Sequence, residues 1–370
     1  MSVFYWSVML TAFAALTVIL GYEIFFFRKV LQYRSVASEF TPPVSVVVAA
    51  KNEAENLARH IPLWLGQNYP DFELVLINDR STDRTFEILE RWRDHPRVKI
   101  VEIPFQEWKS FKGNKKYALT MGIKAARHPY LLFTDADCKP ASPEWIRLMA
   151  SRFAGNKEIV LGYGKYVPAD GFVGRLVQYE TLLTALQYFG FALRGIPYMG
   201  VGRNLAYTRE LFFRNDGFKS HFEILSGDDD LFVNENATSL NTAVCLDSRA
   251  HTLSEPPRSL KAYLRQKRRH YSTARHYRPF HKILLGLYAA ARILFWFATG
   301  SLLFFPQGRL PAAGMVFVWI TAHTMLICKG AKRTDESFPC RIVPMTEWML
   351  LAVQLTAGIY GLLKKPKHWD

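Results

Sequence analysis

The chain has 370 residues, of which 49% are hydrophobic, so it can form one large domain or two ordinary ones with a sizeable core. Its four cysteines, Cys138, Cys245, Cys328 and Cys340, are scattered, which excludes a disulfide-rich secreted scaffold, and we expect a reducing compartment and no disulfide bridge. The formal net charge of +15 suits nucleic acid, an anionic membrane face or a phosphorylated substrate, so the location of the excess must decide.

The first element is an apolar segment, residues 3–27, which holds a single charged residue and is followed at once by Arg28 and Lys29. Its length is enough to span a bilayer core of ~30 Å. A cleaved signal peptide is the alternative, but the run is too long for one and no small-residue cleavage pattern follows it. We therefore predict a transmembrane anchor over residues 1–30, with the basic residues after it facing the cytoplasm.

Residues 42–280 have the pattern of an α/β domain. Continuous runs rich in β-branched residues predict buried strands over residues 44–50, 72–78, 97–103 and 130–134. Three helices are predicted between these strands. The first ends at Leu65, the second runs from a cap at Ser81 or Asp83 to Trp92, and the third covers residues 112–126. Strands that alternate with helices form a parallel sheet, which binds ligands beyond the carboxyl ends of its strands. Asp79 and Asp135 lie at such ends.

An apolar and aromatic segment follows at residues 172–194, and it carries Arg175, Glu180 and Arg194. Its uncharged stretch, residues 181–193, is too short to cross a bilayer. An amphipathic helix lying in the membrane interface fits this pattern best, and an ordinary core helix is the alternative.

Residues 281–370 hold three further apolar segments, at 283–305, 310–328 and 342–363, which we predict to be membrane helices. Three crossings would put the lysines that end the chain outside the cytoplasm, against the usual excess of basic residues inside. One of the three segments is therefore expected to be re-entrant or interfacial.

The stretch LLFTDADCKP ends a predicted buried strand on two carboxylates, Asp135 and Asp137, with one residue between them. Like charges this close repel one another, and a turn with a helix cap is the simple explanation for a DxD sequence. The position of this acidic pair at a strand end favours a different explanation. A hard cation such as Mg²⁺ or Mn²⁺ takes oxygen ligands from one or two carboxylates and completes its shell with substrate phosphate oxygens, which predicts a metal bound to a diphosphate here.

Seven short segments, taken in their order along the chain, carry a resemblance to a known family: VSVVVAAKNEAENL, INDRSTDRT, GNKKYAL, FTDADC, GVGRNLAY, SGDDDLF and QKRRH. In this order they resemble the inverting family 2 glycosyltransferases, the group that includes cellulose, chitin and hyaluronan synthases, and the resemblance covers residues 42–271. It implies an α/β GT-A fold, a mostly parallel sheet with flanking helices, here joined to N- and C-terminal transmembrane helices. It also implies transfer of a sugar from a nucleotide donor, usually UDP-linked, with the DxD carboxylates holding the metal.

Six residues match the family's donor-binding positions, and the resemblance implies that they contact the nucleotide sugar: Ala50, Asn52, Glu53, Asp79, Lys115 and Asp135. Asp79 matches the acid that meets the base or ribose. A lone lysine such as Lys115 is more often a solvated surface charge, but this one lies at a predicted helix start, where phosphates are attracted.

A second acidic cluster is formed by Asp228, Asp229 and Asp230. At least one of them is expected to cap the helix that follows. Adjacent carboxylates in a cleft raise one another's pKa, which suits a general base that takes a proton from an alcohol near neutral pH. Asp229 matches the family's catalytic acid, and we predict it as the base, with Asp228 or Asp230 as the alternative.

The stretch YLRQKRRHYS resembles the QxxRW signature of processive synthases, which implies that Gln266 and Arg269 contact the departing diphosphate. His270 stands where that signature has tryptophan, so a long-polymer acceptor channel is not expected. Membrane electrostatics is the alternative, because this region is densely basic just before a predicted crossing. Gly200, Gly202, Arg203 and Asn204 of GVGRN form a tight turn by default. By resemblance this turn lines the acceptor side.

Together with this resemblance, these observations predict an inverting glycosyltransferase of the cytoplasmic membrane face, dependent on Mg²⁺ or Mn²⁺, that uses a UDP-sugar. Its expected acceptor is a lipid-linked sugar, a membrane lipid or a growing glycan. A non-catalytic membrane partner in a polysaccharide assembly complex is the alternative. A nucleic-acid-binding protein is disfavoured, because the basic excess lies beside apolar spans and no recognition motif is present.

Overall fold

The computed structural model describes residues 3–35, 38–104 and 115–363 of the chain, with side chains described up to residue 356. Its strands are β1 Val44–Ala50, β2 Phe72–Asn78, β3 Val98–Glu102, β4 Tyr130–Phe133, β5 Lys139–Pro140, β6 Ile159–Leu161, β7 Gly164–Tyr166, β8 Leu205–Thr208, β9 Thr242–Val244 and β10 Thr252–Ser254. The start of the third predicted helix, residues 112–114, lies outside the described residues.

The helices begin with α1 Val3–Tyr22, which continues through a π-helical turn, Glu23–Phe27, into α2 Arg28–Gln32. Those of the middle region are α3 Ala54–Leu65, α4 Thr85–Glu90, α5 Lys115–Ala125, α6 Trp145–Ala150, α7 Gly171–Leu193, α8 Arg209–Arg214, α9 Asp230–Asn236 and α10 Leu260–Ala274. Those of the C-terminal region are α11 Pro279–Leu302, α12 Arg309–Arg333 and α13 Val343–Leu363.

A seven-stranded sheet with the order β3-β2-β1-β4-β8-β6-β9 organises the middle of the chain. The first four strands are parallel, β8 runs antiparallel to both of its neighbours, and β6 pairs with β9 in parallel. A smaller sheet, β5-β10-β7, lies beside it. The prediction of an α/β fold with a mostly parallel sheet is confirmed. Every residue of β2 and all but one of β1 are buried, as their continuous apolar runs require.

The helix after β2 differs from its prediction. It ends at Glu90 rather than at Trp92. Of the two predicted caps, Asp83 is confirmed, because it accepts the N–H of Thr85, the first residue of α4, as well as the N–H of Ala54. The hydroxyl of Ser81 instead accepts the N–H of Asn52. These side chains therefore tie the loop after β2 to the loop after β1, at the edge of the sheet where ligands bind.

Helix α7 is a core helix, so the predicted position in the membrane interface is wrong. Fourteen of its 23 residues are buried. Its acidic residue, Glu180, is compensated by Lys267, whose Nζ lies 2.5 Å from Oε2, and by the hydroxyl of Tyr263, which donates over 2.7 Å. The segment resembled an interfacial helix because these partners lie more than 80 residues further along the chain.

Three helices in the described part of the chain are long and apolar enough to cross a membrane: residues 3–32, 279–302 and 306–333. The first two lie antiparallel. Tyr5 packs edge-on against Phe305 with ring centroids 5.5 Å apart, and Tyr22 stacks on Tyr288 at 4.3 Å at the other end. The pair Tyr22 and Tyr288 therefore marks the end of this bundle that packs against α7.

The third C-terminal segment forms α13, whose first half packs against α7 and α10. The sulfurs of Cys328 and Cys340 are joined in a disulfide at the end of α12, so the expectation of no bridge is wrong. These two cysteines are 12 residues apart, and the turn between two helices brings them together. Cys138 and Cys245 are free and buried.

Candidate active site

The carboxyl end of β4 carries the acidic pair that the sequence singled out. Oxygens of Asp135 and Asp137 and the Sγ of Cys138 all lie within 4.8 Å of one another. The Cys138 thiol donates to Oδ1 of Asp137 over 3.3 Å. Burial and the neighbouring Asp135 raise the pKa of Asp137. Two acids this close destabilise one another as anions, and a cation between them removes the repulsion.

Lys115, the first residue of α5, lies between two acidic groups. Its Nζ donates to Oδ1 of Asp135 over 2.7 Å and lies 3.2 Å from Oδ2 of Asp228. Burial opposes its charge, but Asp135 and Asp228 outweigh burial, so the pKa of Lys115 is raised. This cation therefore connects the end of β4 with the second acidic cluster.

The next residue, Lys116, has a supporting role that the sequence did not reveal. Its buried Nζ donates to the carbonyl oxygens of Ile224 and Ser226, the second of them over 2.7 Å. Burial lowers the pKa of Lys116. These bonds hold the loop that leads to Asp228, and they join residues too far apart in sequence for any local motif to indicate.

The three adjacent acids have three different environments. Burial opposes the charge of Asp228, but Lys115 and Lys116 together outweigh burial and lower the pKa of Asp228. Asp230 is tied to α10 and the residues after it, because its Oδ2 accepts the hydroxyls of Thr273 and, over 2.7 Å, of Tyr277. Asp228 thus serves an ion pair and Asp230 a structural connection.

The pKa of Asp229 is displaced toward neutrality. Burial, followed by Asp228 and Asp230, raises the pKa of Asp229 to about 7. Its Oδ1 accepts the N–H of Asp230 over 2.7 Å, and its Oδ2 accepts the N–H of Gly202 over 2.7 Å. Both oxygens are therefore oriented by the backbone, which leaves their remaining lone pairs for a substrate hydroxyl.

The GVGRN turn brings the backbone of Gly202 into contact with Asp229. A Cβ at Gly202 would lie 3.3 Å from Oδ2 of Asp229, so a glycine allows the backbone to approach the acid. Arg203 lies over the ring of Tyr166 at 4.1 Å. Asn204 is fully buried and bonds Trp145 and backbone carbonyls, so it is structural.

The nucleotide-side residues predicted after β1 are held by the loop that follows β2. Oδ1 of Asn52 accepts the N–H of Thr82 over 2.7 Å, and the N–H of Glu53 donates to Thr85 over 2.9 Å. Burial raises the pKa of Glu53. Asn52 has a φ of 59°, a left-handed conformation that asparagine tolerates. Lys51 lies beside them and was missed from the sequence.

Ala50 and Asp79 lie beneath the surface. The Ala50 carbonyl accepts the N–H of Asp79 over 2.8 Å, and both residues are buried. Oδ1 of Asp79 accepts from Nε of Arg80 over 2.7 Å, whereas Oδ2 has no hydrogen-bond partner among the described residues. Burial raises the pKa of Asp79 despite Arg80. An unpaired buried acceptor is satisfied when a ligand N–H or O–H reaches it.

Helix α10 brings the predicted diphosphate ligands to the same place. Nε2 of Gln266 donates to the hydroxyl of Tyr166 over 3.0 Å. Arg269 forms no salt bridge with any residue in the described ranges. His270, which stands where the processive signature has tryptophan, lines the same cavity as both.

Two cavities meet at these residues. The first, of about 470 Å³, is lined by Lys51, Asn52 and Glu53 at the ends of the parallel strands. The second, of about 440 Å³, contains Asp229 and Gln266 and continues between the helices. Four residues line both: Lys115, Asp135, Asp137 and Arg269. Of the other residues predicted to bind the donor, Asn52 and Glu53 line the first cavity, whereas Ala50 and Asp79 line neither. The four shared residues form an acidic and basic boundary between the cavities.

The boundary suits a hard divalent cation. Asp135 and Asp137 supply carboxylate oxygens, which Mg²⁺ and Mn²⁺ prefer. The third possible ligand, Cys138, is fully buried, and burial raises the pKa of its thiol, so it stays protonated and is a poor metal ligand. Thus the residues present fit a metal that keeps open positions for phosphate oxygens.

Comparison with known proteins matches the sheet and its acidic edge to one family. Residues 45–213 match the model of Glycosyl transferase family 2. This chain carries a family 2 glycosyltransferase domain. The chain is 32% identical over 94 residues to a poly-beta-1,6-N-acetyl-D-glucosamine synthase of Staphylococcus epidermidis, a match that covers 25% of this chain and 21% of that one. It is 27% identical over 150 residues to the hyaluronan synthase of Pasteurella multocida, covering 40% and 15% respectively.

The family 2 glycosyltransferase domain and the helices around it also have a solved counterpart in fold. The mannosyltransferase PcManGT from Pyrobaculum calidifontis, solved with GDP-Man and Mn²⁺, aligns with a TM-score of 0.64 and 20% identity. The alignment covers 97% of this chain and all of that one. This likeness shows that the GT-A fold and its flanking helices align together. In contrast, the chain spans only 21% and 15% of the length of the two sequence relatives.

Proposed function

We propose that the chain is a divalent-metal-dependent, inverting glycosyltransferase of the membrane, which transfers a hexose from a nucleoside diphosphate donor, expected to be UDP-linked, to a hydroxyl of a lipid-linked or glycan acceptor. One observation carries the proposal: Lys115, Asp135, Asp137 and Arg269 line both cavities. A diphosphate at this boundary has its nucleotide on the side of Asn52 and its sugar on the side of Asp229.

The donor's charges are matched by groups on both sides of the boundary. Asp135 and Asp137 would hold the metal, which when bound neutralises phosphate oxygens. Lys115 and Arg269 supply positive charge to the departing nucleoside diphosphate, and Gln266 supplies an amide on the same wall. The unpaired Oδ2 of Asp79 supports a contact with the base or ribose once the donor is bound.

The reaction then needs one base and no covalent intermediate. The acceptor oxygen forms a bond to the anomeric carbon while the bond from that carbon to the phosphate oxygen breaks, and the acceptor proton goes to Asp229. Its pKa of about 7 makes Asp229 a suitable base near neutral pH, and its two backbone hydrogen bonds orient it before substrate arrives. A single in-line displacement of this kind inverts the configuration.

The first test is a nucleotide-release screen. Membranes containing the chain are supplied with a panel of UDP- and GDP-sugars, with and without Mn²⁺, and nucleotide release is measured. We expect release with one or a few donors, and only when metal is present. Absence of release from every donor contradicts the proposal and favours a non-catalytic partner, which would also tolerate joint replacement of Asp135 and Asp137.

The second test separates binding from chemistry. Asp229→Asn is expected to bind the nucleotide and Mn²⁺ as the unmodified chain does, measured by calorimetry, and to lose turnover by at least 100-fold, the usual scale of general-base catalysis. Asp170→Asn is the matched control, because Asp170 is exposed and lies outside both cavities. Unchanged turnover in Asp229→Asn contradicts the assignment of the base.

A further inference from the structure

The cavity that contains Asp229 does not end in the catalytic region. It continues between α7 and α10 to α11 and α13, where its wall is formed by Leu285, Tyr288, Ala289, Arg292, Leu350 and Gln354. Tyr288 stacks on Tyr22, the contact that marks the end of the apolar bundle that packs against α7. The reaction site is therefore continuous with a space at the level where the candidate membrane helices begin.

This space opens at the surface of α11. Ala289 lines the cavity and is also exposed on the outside of the helix, so the cavity reaches the surface there. Gly286, one turn earlier, is exposed, and a Cβ built on it would have no neighbour within 4 Å. Apolar residues on the same helix, such as Ile283 and Leu294, are at least half exposed. An occupant can thus extend an apolar tail from the cavity along a lipid-facing helix.

The charges of this inner part are already compensated. Lys267 pairs with Glu180 at 2.5 Å, and the guanidinium of Arg292 binds Glu347 with Nε 2.8 Å from Oε1. The cations that remain near the cavity lie at its catalytic end, where the donor diphosphate is expected. Within the described ranges, the inner part consequently offers no uncompensated cation for an additional phosphate.

Groups that hydrogen-bond uncharged hydroxyls are abundant instead. The amides of Gln187 and Gln354 line the cavity, together with Thr184 and several tyrosine rings. A volume of about 440 Å³ lies toward the lower end of the range of about 300–1,000 Å³ for small-molecule sites, so it fits a compact head and not a long polymer.

We infer that the acceptor is a membrane amphiphile with an uncharged, hydroxylated head, which enters beside Ala289 and presents a hydroxyl to Asp229 while its tail stays in the bilayer. This inference rests on the proposed function and narrows its acceptor. It disfavours a soluble glycan, a polyprenyl phosphate and a polymer retained between additions.

The test uses the unmodified chain in phospholipid vesicles and the donor that passes the nucleotide-release screen, with the sugar radiolabelled. The neutral amphiphiles offered are dodecyl maltoside, diacylglycerol and a ceramide, and their soluble counterparts are maltose and glycerol. A polyprenyl phosphate is offered separately. We expect label in the organic phase with at least one neutral amphiphile, at a rate at least tenfold above its soluble counterpart.

A pair of neighbouring alanines on α11 provides the variant and its control. Ala289→Trp fills the opening, whereas Ala290→Trp adds the same volume at an exposed position that does not line the cavity. Ala289→Trp is expected to slow transfer to the neutral amphiphile at least tenfold and to leave slow donor hydrolysis unchanged. Ala290→Trp should stay within twofold on both measures.

Hydrolysis of the donor distinguishes failure of the proposed function from failure of the inference about the acceptor. If no donor is hydrolysed or transferred, the proposed function itself fails. If the donor is hydrolysed but only maltose, glycerol or the polyprenyl phosphate is glycosylated, or if no acceptor is, the inference about the acceptor is overturned. Equal rates for Ala289→Trp and Ala290→Trp overturn the entry route beside Ala289.

Discussion

The backbone N–H of Gly202 donates to Oδ2 of Asp229 over 2.7 Å. This bond joins the GVGRN turn, which by sequence is a tight turn and by resemblance lines the acceptor side, to the acid proposed as the base. Because the N–H of Asp230 holds the other oxygen of Asp229, the carboxylate cannot rotate without losing one of the two bonds. Gly202 therefore positions Asp229.

Gly202→Ala should weaken this positioning. The new Cβ would lie 3.3 Å from Oδ2 of Asp229, so the carboxylate must shift by a few tenths of an ångström. We expect a loss of about tenfold in kcat, or ~1.4 kcal/mol, with little change in donor KM. Gly314→Ala is the control, since nothing lies within 4 Å of a Cβ at that position. A rise in donor KM with kcat unchanged would contradict a positioning role.

The dependence of activity on pH follows from the displaced pKa of Asp229. Burial and the two flanking acids raise it to about 7, and only the deprotonated carboxylate can accept a proton. The rate should therefore fall as pH decreases through about 7 and level off above it. Replacing Asp228 by asparagine removes one of the flanking negative charges, so the acidic limb should move to lower pH in whatever activity remains.

An acidic limb that stays near pH 4 in the unmodified chain would show that Asp229 is not raised in the working enzyme. The measurement is kcat/KM for the donor at saturating acceptor between pH 3.5 and 9. Asp170→Asn again serves as the control, because an exposed acid outside the cavities should leave the limb in place.

The sequence predicts the structure best where a single local property, such as an apolar run or two adjacent charges, determines it. Strands β1 and β2 were predicted to the residue, because a strand buried on both faces must be apolar throughout. The acidic pair Asp135 and Asp137 stood out because such charges after a buried strand need a counter-charge. The same applies to the cluster around Asp229.

The sequence was least informative where a residue's partner lies far along the chain. Glu180 made α7 resemble an interfacial helix, because its compensation by Lys267 depends on the fold. Lys116 and Gly202 carry no local signal, since their roles consist of bonds to a distant loop and a distant acid. The division of work among adjacent aspartates is likewise set by neighbours on other helices.

The basic residues indicate which side of the membrane the domain occupies. Arg28 and Lys29 end the first span, and Arg333 ends α12, where Nη2 of Arg333 donates to the carbonyl of Tyr33 over 3.1 Å. These charges lie at the end of the bundle nearest the catalytic domain, which by the positive-inside tendency would be cytoplasmic.

Cysteine labelling tests this orientation. Phe304, between α11 and α12, is 86% exposed, and Leu240, on the catalytic domain, is 82% exposed. In intact cells, a membrane-impermeant maleimide should label Phe304→Cys and not Leu240→Cys, and lysis should make both reactive. The opposite pattern would place the catalytic domain outside the cytoplasm.

The pair Arg292 and Glu347 ties α11 to α13 inside the bundle, and both side chains are almost fully buried. Glu347 also accepts the hydroxyl of Tyr179 over 2.7 Å, so α7 joins the same network. Arg292→Met should leave the Glu347 carboxylate buried without its counter-charge, at a cost of about 3–5 kcal/mol. Adding Glu347→Gln removes that charge and should recover part of the loss.

The measurement is the midpoint of thermal unfolding in detergent without donor. Arg309→Met is the control, because Arg309 is exposed at the start of α12. It is expected to change stability by less than about 0.5 kcal/mol. If the double variant is no more stable than Arg292→Met alone, the pair contributes packing rather than charge compensation.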